Sequence, residues 1–379
     1  FALPTPVVAS TTILGGDVSG TWTAAGSPYL IDGDITVPAG QTLTIEAGIE
    51  VVFQSAYKLV VNGTLLAEGT EGAPILFGGG HPTAGWGGIR MIGASDSSRL
   101  TYVIVEKGRA TAADSEKLGG GIYVQDSSPT IRYSTIRDNY ATKGGGGIAL
   151  VRSNAVLSDN TIVNNSVSQG TSAFGGGVYM TESNPELTRN VIRGNSVYVS
   201  GSFSTPTGLG GGIYAHRSSP VLRDNVISDN TVDAHLHSHA RGGGLHFNLG
   251  APDLVNNTIT GNVIPGSGSV MYDREGAGIY LYGANLTVVN TILWNDAPEE
   301  IFVSDFATLT VAYSDVQGGQ VGVVVEGNPT VNDAGGKLDA DPFFVDAANG
   351  DYQLQAASPA IDAGTAYFEW AGRVVVNLS

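Results

Sequence analysis

The chain has 379 residues, a net charge of −17, no cysteine, 54 glycines and 42% hydrophobic residues. The acidity argues against nucleic acid, whose phosphate backbone needs a basic surface, and it disfavours an anionic polymer unless a cation such as Ca²⁺ mediates the contact. Missing thiols exclude disulfides and thiolate zinc sites, and no run reaches the ~18 apolar residues a membrane helix needs.

Residues 1–26 are expected to form an N-terminal extension that caps the core, and the start at Phe1 rather than Met fits a removed signal peptide. Residues 27–331 read as stacked coils. The opening coils TLTIEAGIEVVF, YKLVVNGTLLAEGT, PILFGGG and GWGGIRMIG are strand-like but irregular. From residue 119 a strict repeat appears, in which a glycine cluster is followed by a β-branched or leucine residue at Ile122, Ile148, Val178, Ile213, Leu245 and Ile279. A second element, STIRDN, NTIVNN, NVIRGN, NVISDN, NTITGN or NTILWN, follows each, centred on Ile136, Ile162, Ile192, Ile227, Ile259 and Ile292. The two elements are 14 residues apart in five coils and 13 in the last. Alternation such as Ile213-Tyr214-Ala215-His216 has the period of a strand, and helical periodicity is absent.

Two asparagine columns accompany the repeat: Asn160, Asn190, Asn225, Asn257 and Asn290, and Asn139, Asn165, Asn195, Asn230, Asn262 and Asn295. Identical amides stacked at the ~4.8 Å strand spacing bond to one another along the stack, so both columns are read as structural. The fold class is therefore all-β, a right-handed parallel β-helix (solenoid) with N- and C-terminal caps. Residues 332–379, with DADPFFVDAANGDYQLQAASPAIDAG, are expected to be the C-terminal cap.

The GGGIY…SPTI…STIRDN coils resemble the right-handed β-helix repeats of the pectate-lyase-like superfamily. The opening GQTLTIEAGIEVVF…GWGGIRM and the tail DADPFFVDAANGDYQLQAASPAIDAGT are similar to polymorphic bacterial surface proteins that end in an anchoring region. That resemblance implies export to the extracellular space or cell surface. It says little of activity, because such folds host lyases, hydrolases, adhesins and others.

Length variation falls between the second asparagine column and the next glycine cluster, at residues 140–144, 166–174, 196–209, 231–241 and 263–275. All insertions thus leave from one corner, which marks a binding face, and the resemblance implies that this face holds the substrate cleft. Candidate ligand-binding residues there are Tyr179, Tyr214, His246 and Tyr280, an outward ring column suited to sugar faces, together with Arg152 and Arg274. The alternative for the rings is a ladder that only shields the sheet. Catalytic candidates are Glu182 as acid or base, His216, and Arg217, although the catalytic motifs of polygalacturonases and pectate lyases are missing. The DAHLHSHAR loop offers His235, His237 and His239 as metal candidates.

Two function classes remain. The favoured one is a secreted or surface protein with a structural or adhesive role that contacts glycans or other surface proteins. The alternative is a polysaccharide lyase or glycosidase. No cofactor is required, with Ca²⁺ left open. Self-assembly is a further expectation, with the segment before Gly15 as a candidate donor strand.

Overall fold

The computed structural model describes residues 10–80, 85–111, 117–200, 205–235, 237–266 and 273–378. Each coil contributes three short strands to three parallel sheets. In one coil these are Ile122–Gln125 in the first sheet, Thr130–Arg132 in the second and Thr135–Arg137 in the third. Register holds from coil to coil: Ile122 lies against Ile148, Val178, Ile213, Leu245 and Ile279 in turn. The third sheet has 12 strands, from Thr11–Ile13 to Asp315–Val316, so the tube is about 50 Å long at ~4.8 Å per coil. Inward positions of all three sheets fill it with one continuous apolar core.

The glycine clusters form the corner before the first sheet. Gly210 has φ +68°, a left-handed conformation that side chains rarely adopt. At Gly211 a Cβ would sit 2.3 Å from the Gly243 carbonyl oxygen of the next coil.

The asparagine columns are buried ladders. Asn165 Oδ1 accepts the Asn139 backbone N–H at 3.1 Å and its Nδ2 at 3.0 Å, while Asn139 Nδ2 also donates to Val105 O at 3.0 Å. At the last repeat the structure corrects the sequence alignment by one residue. Leu293, not Ile292, pairs with Ile259, which restores the 14-residue spacing from Ile279. Thr291 replaces Asn290 at the end of the first column. Asp296 replaces Asn295 at the end of the second, accepting Asn262 N at 2.7 Å and Nδ2 at 2.9 Å. Identity of letters (NTILWN) outweighed register in the sequence alignment.

The variable insertions build a fin rather than loose loops. Their outgoing strands, Arg109–Ala110, Tyr140–Ala141, Ser166–Gln169, Ser196–Ser200 and Thr231–His235, form a five-stranded parallel sheet. Returning strands Ala173–Phe174, Thr207–Leu209, His239–Arg241 and Asp273–Glu275 form a four-stranded one. Small apolar residues, among them Val167, Ala173, Val197, Val232 and Ala240, make a second core between the layers. A Cβ on Gly208 would lie 2.7 Å from Val232 Cγ1, so Gly208→Leu is expected to splay the fin. Faster proteolytic cleavage within residues 231–241, with the thermal transition of the tube unchanged, is the checkable outcome.

Both ends differ from expectation. Strands begin at Thr11, inside the stretch read as a cap. Of the segment before Gly15, residues 1–9 lie outside the described residues, and Thr11–Ile13 pairs with Tyr29–Ile31 of its own chain. The tail does not lie across the far end. Its hairpins, Phe344–Asp346 with Asp351–Leu354 and Tyr367–Trp370 with Arg373–Asn377, run back along the corner between the second and third sheets. Phe368, Val375 and Val376 pack on Val255, Val289 and Ala312. Arg373 Nη2 donates to Asp253 Oδ1 at 2.7 Å. Inward positions Val325 and Val331 of the final coil consequently stay 54% and 43% exposed.

Candidate functional site

The fin folds over the outer face of the first sheet. Beneath it, outward side chains stack ring on ring: Tyr179 to Tyr214 at 5.7 Å, Tyr214 to His246 at 5.2 Å, His246 to Tyr280 at 4.7 Å and Tyr280 to Phe302 at 5.5 Å. Residues immediately before the glycine clusters cover them, Leu118 on Tyr123, Phe174 at 4.9 Å from Tyr214, and Arg241 at 5.1 Å over Tyr280. Tyr214, His246 and Tyr280 are therefore buried, and Tyr179 half-buried. This corrects the reading of these four as an open platform for sugar rings: the insertions expected to frame the platform close it. Burial, with the Arg241 charge beside it, holds the His246 imidazole down to about 3, so it stays neutral at physiological pH.

At the next corner Asp126, Arg152, Glu182 and Arg217 stack in four successive coils, all with left-handed φ of 47–52°. All four point outward. Arg152 grips Asp126 with two bonds of 2.7 and 2.8 Å, holding that carboxyl down to about 2, so Arg152 is engaged rather than open to a ligand carboxylate. Glu182 and Arg217 come from adjacent coils, and the Glu182 N–H donates to His216 O at 3.0 Å. The structure thus brings Glu182, His216 and Arg217 to one place. His216 is half-buried, its Nδ1 has no hydrogen-bond partner, and burial together with Arg217 lowers its pKa.

The histidine loop is split between the fin layers. His235, on an outgoing strand, lies 3.1 Å from Asp233 and beside the Tyr198 ring. His239, on a returning strand, has Nδ1 2.5 Å from Asp273 Oδ2. His237 occupies the turn between them, with φ +62°. Among the described residues no three His, Asp or Glu side chains converge to hold a metal. Alternate residues point the same way only while a strand continues, and the hairpin turn at 237 breaks that rule. Arg274, a ligand-binding candidate from the sequence, donates through Nε to Ile264 O at 3.0 Å and so ties down its own insertion.

Arg241 was not singled out by the sequence. It donates to Glu275 Oε2 at 2.7 Å and to Asp273 Oδ2 at 2.8 Å while covering Tyr280. Burial raises the Glu275 pKa, with Arg241 opposing. The available signal was positional: Leu118, Phe174, Leu209, Arg241 and Glu275 all directly precede a glycine cluster. Arg241→Ala is expected to cost about 2 kcal/mol, because truncation leaves the largely buried Glu275 carboxylate without its cation and Asp273 with His239 alone. The loss should appear as cleavage near residue 241 in limited proteolysis.

The fin also carries a recess of about 280 Å³ lined by Lys117, Lys143, Gln169, Thr171, Ser172 and Phe174. Neither lysine has a carboxylate partner among the described residues. These residues were likewise missed, because they come from three insertions of different length.

Residues 87–273 match the family described as right handed beta helix region. This is a right-handed β-helix protein. No curated protein and no solved structure matched the chain. The matched part of the β-helix contains the glycine corner, both asparagine ladders and most of the fin. Among the described residues no helix of this β-helix protein is long and apolar enough to cross a membrane.

Proposed function

We propose that this β-helix is a secreted or cell-surface protein of structural or adhesive type, of the kind found among polymorphic bacterial surface proteins. In this reading it contacts glycans through the fin. The recess around Lys117 and Lys143 carries the reading. Two ammonium groups, two hydroxyls, an amide and an apolar ring meet there in a chain of net charge −17. This combination suits a hydroxylated ligand with an acidic substituent, to which two ammonium groups are complementary. A strongly anionic polymer meets acidic surface elsewhere, and Ca²⁺ is the cation we assign to bridging it.

Further support comes from groups that an active site would need and that are engaged elsewhere. Arg152 is held by Asp126, Arg241 by Asp273 and Glu275, and Arg274 by a backbone carbonyl. One observation favours the second reading, a polysaccharide lyase or glycosidase: Glu182, His216 and Arg217 adjoin, with an unpartnered imidazole nitrogen.

Immobilised neutral and uronic polysaccharides, with and without Ca²⁺, separate the two. Under the favoured reading some are retained, Lys117→Ala/Lys143→Ala weakens retention at least tenfold, and no unsaturated or reducing ends appear. Product that vanishes in Glu182→Ala or His216→Ala would replace it with the enzymatic reading.

A further inference from the structure

The tail's second hairpin turns at Trp370-Ala371-Gly372-Arg373, where Ala371 and Gly372 have φ of +49° and +77°. Two left-handed residues in succession close the tightest kind of strand turn, which sets Trp370 opposite Arg373 on one face of the hairpin. Arg373 pins that turn to the tube. Its guanidinium donates to both Asp253 oxygens, to Oδ1 at 2.7 Å, and to Thr287 Oγ1 at 3.4 Å. Trp370 is held in place by the same clamp but is 36% exposed, and its indole N–H makes no hydrogen bond among the described residues.

Trp370 and Arg373 line an open groove of about 490 Å³ against the second sheet, together with Ala251, Asn285, Thr287, Thr308 and Thr310. Ligand clefts begin at about 300 Å³, so a short saccharide fits. Asn285 lies beside Thr308 in the next coil, and Thr287 beside Thr310. Thr287 is engaged by Arg373, and Thr310 accepts Asn332 Nδ2 at 3.2 Å. The Asn285 amide and the Thr308 hydroxyl make no hydrogen bond among the described residues. An amide and a hydroxyl thus line the groove one strand spacing apart, ~4.8 Å, with an indole on the hairpin side. We propose that the groove binds a short neutral saccharide, with its hydroxyls on Asn285 and Thr308 and its C–H surface on Trp370. An indole supplies apolar contact and a donor together, which suits a ligand that is apolar on its ring and polar at its rim. A charged ligand gains nothing here, because Asp253 and Arg373 neutralise each other and the net charge of −17 repels anions. A wholly apolar ligand would strip water from Asn285 and Thr308 and replace none of its hydrogen bonds. The groove lies on the flank away from the fin, so this proposal stands or falls apart from the reading of the fin.

Calorimetric and fluorescence titration of the full chain with maltose, cellobiose, lactose and diacetylchitobiose is the test. At least one should bind and change the tryptophan emission, since Trp22 and Trp86 are buried and Trp294 partly so, leaving Trp370 as the reporter. Trp370→Ala should remove the emission change and weaken binding at least tenfold, with circular dichroism unchanged. Asn285→Ala/Thr308→Ala, which leaves the hairpin untouched, should weaken binding at least tenfold as well. Ala251→Trp, which fills the groove from an exposed position, should abolish it. Lys117→Ala/Lys143→Ala should bind the neutral sugar unchanged, and in that variant digalacturonate should not bind. Silence from all four disaccharides would overturn the proposal. So would equal binding of digalacturonate in the lysine variant, or binding unchanged in Asn285→Ala/Thr308→Ala or in Ala251→Trp.

Discussion

Asn195→Ala is expected to cost about 4 kcal/mol, near the upper end for a single substitution, because several buried donors and acceptors lose partners at once. Asn195 Oδ1 receives Asn165 N and Nδ2, both at 3.0 Å, and its Nδ2 donates to Ile162 O at 2.9 Å and Asn230 Oδ1 at 3.0 Å. An alanine leaves the Asn165 N–H without an acceptor in a place that water does not reach. The neighbouring Asn164 is the control. It is exposed, and its φ of +56° means alanine loses only about 1 kcal/mol of left-handed preference. Chemical unfolding of both variants followed by circular dichroism checks the contrast. A loss below 1 kcal/mol at Asn195, or equal losses at both sites, would show that the ladder is decorative.

The ladders and the core were legible in the sequence because each coil faces the same constraints. A left-handed corner needs Gly210, a close carbonyl needs Gly211, and a buried corner amide needs Asn195. The repeat therefore shows through letters alone. What failed depended on contacts that letters do not encode. Tyr214 and His246 point outward in a strand pattern, and only the return path of the insertions decides whether outward means solvent or a second layer. Lys117, Lys143 and Thr171 meet in one recess although their insertions share neither length nor motif. Arg373 reaches Asp253 across 120 residues, so nothing local in the tail announced a flank strap instead of a cap. The slip at Ile292 shows that a one-residue offset in a repeat moves every assignment with it, from Leu293 to Asp296.

That offset leads to a second large expectation, that Asp296→Asn stabilises the protein, and more so as pH rises. Asp296 is the one acid in a buried column of amides, 6% exposed, with Oδ2 unpartnered. Glu300, 4% exposed, accepts the Asp296 N–H at 3.1 Å and leaves Oε2 unpartnered. Burial pushes the Asp296 carboxyl up to about 7, with its hydrogen bond to Glu300 opposing, and burial together with the Asp296 charge pushes Glu300 up to about 10. Unfolded, both ionise near pH ~4. Across the interval the folded state holds protons that the unfolded chain has released, so this pair's contribution falls as pH rises from ~4 toward those folded values. An asparagine at 296 keeps the oxygen that Asn262 uses. It also gains an N–H for Ile259 O, the carbonyl in the place that Ile227 O takes for Asn262. The gain at pH 8 should reach at least about 1 kcal/mol, the worth of one added bond and one orphan removed. It should shrink toward pH 4 and be smallest near pH ~3, where the wild-type pair is protonated in both states. Unfolding of the C-terminal coils, followed at both pH values, measures this. A wild type at least as stable as the variant at pH 8 would mean that the acid pair is satisfied in some other way, with its charge compensated.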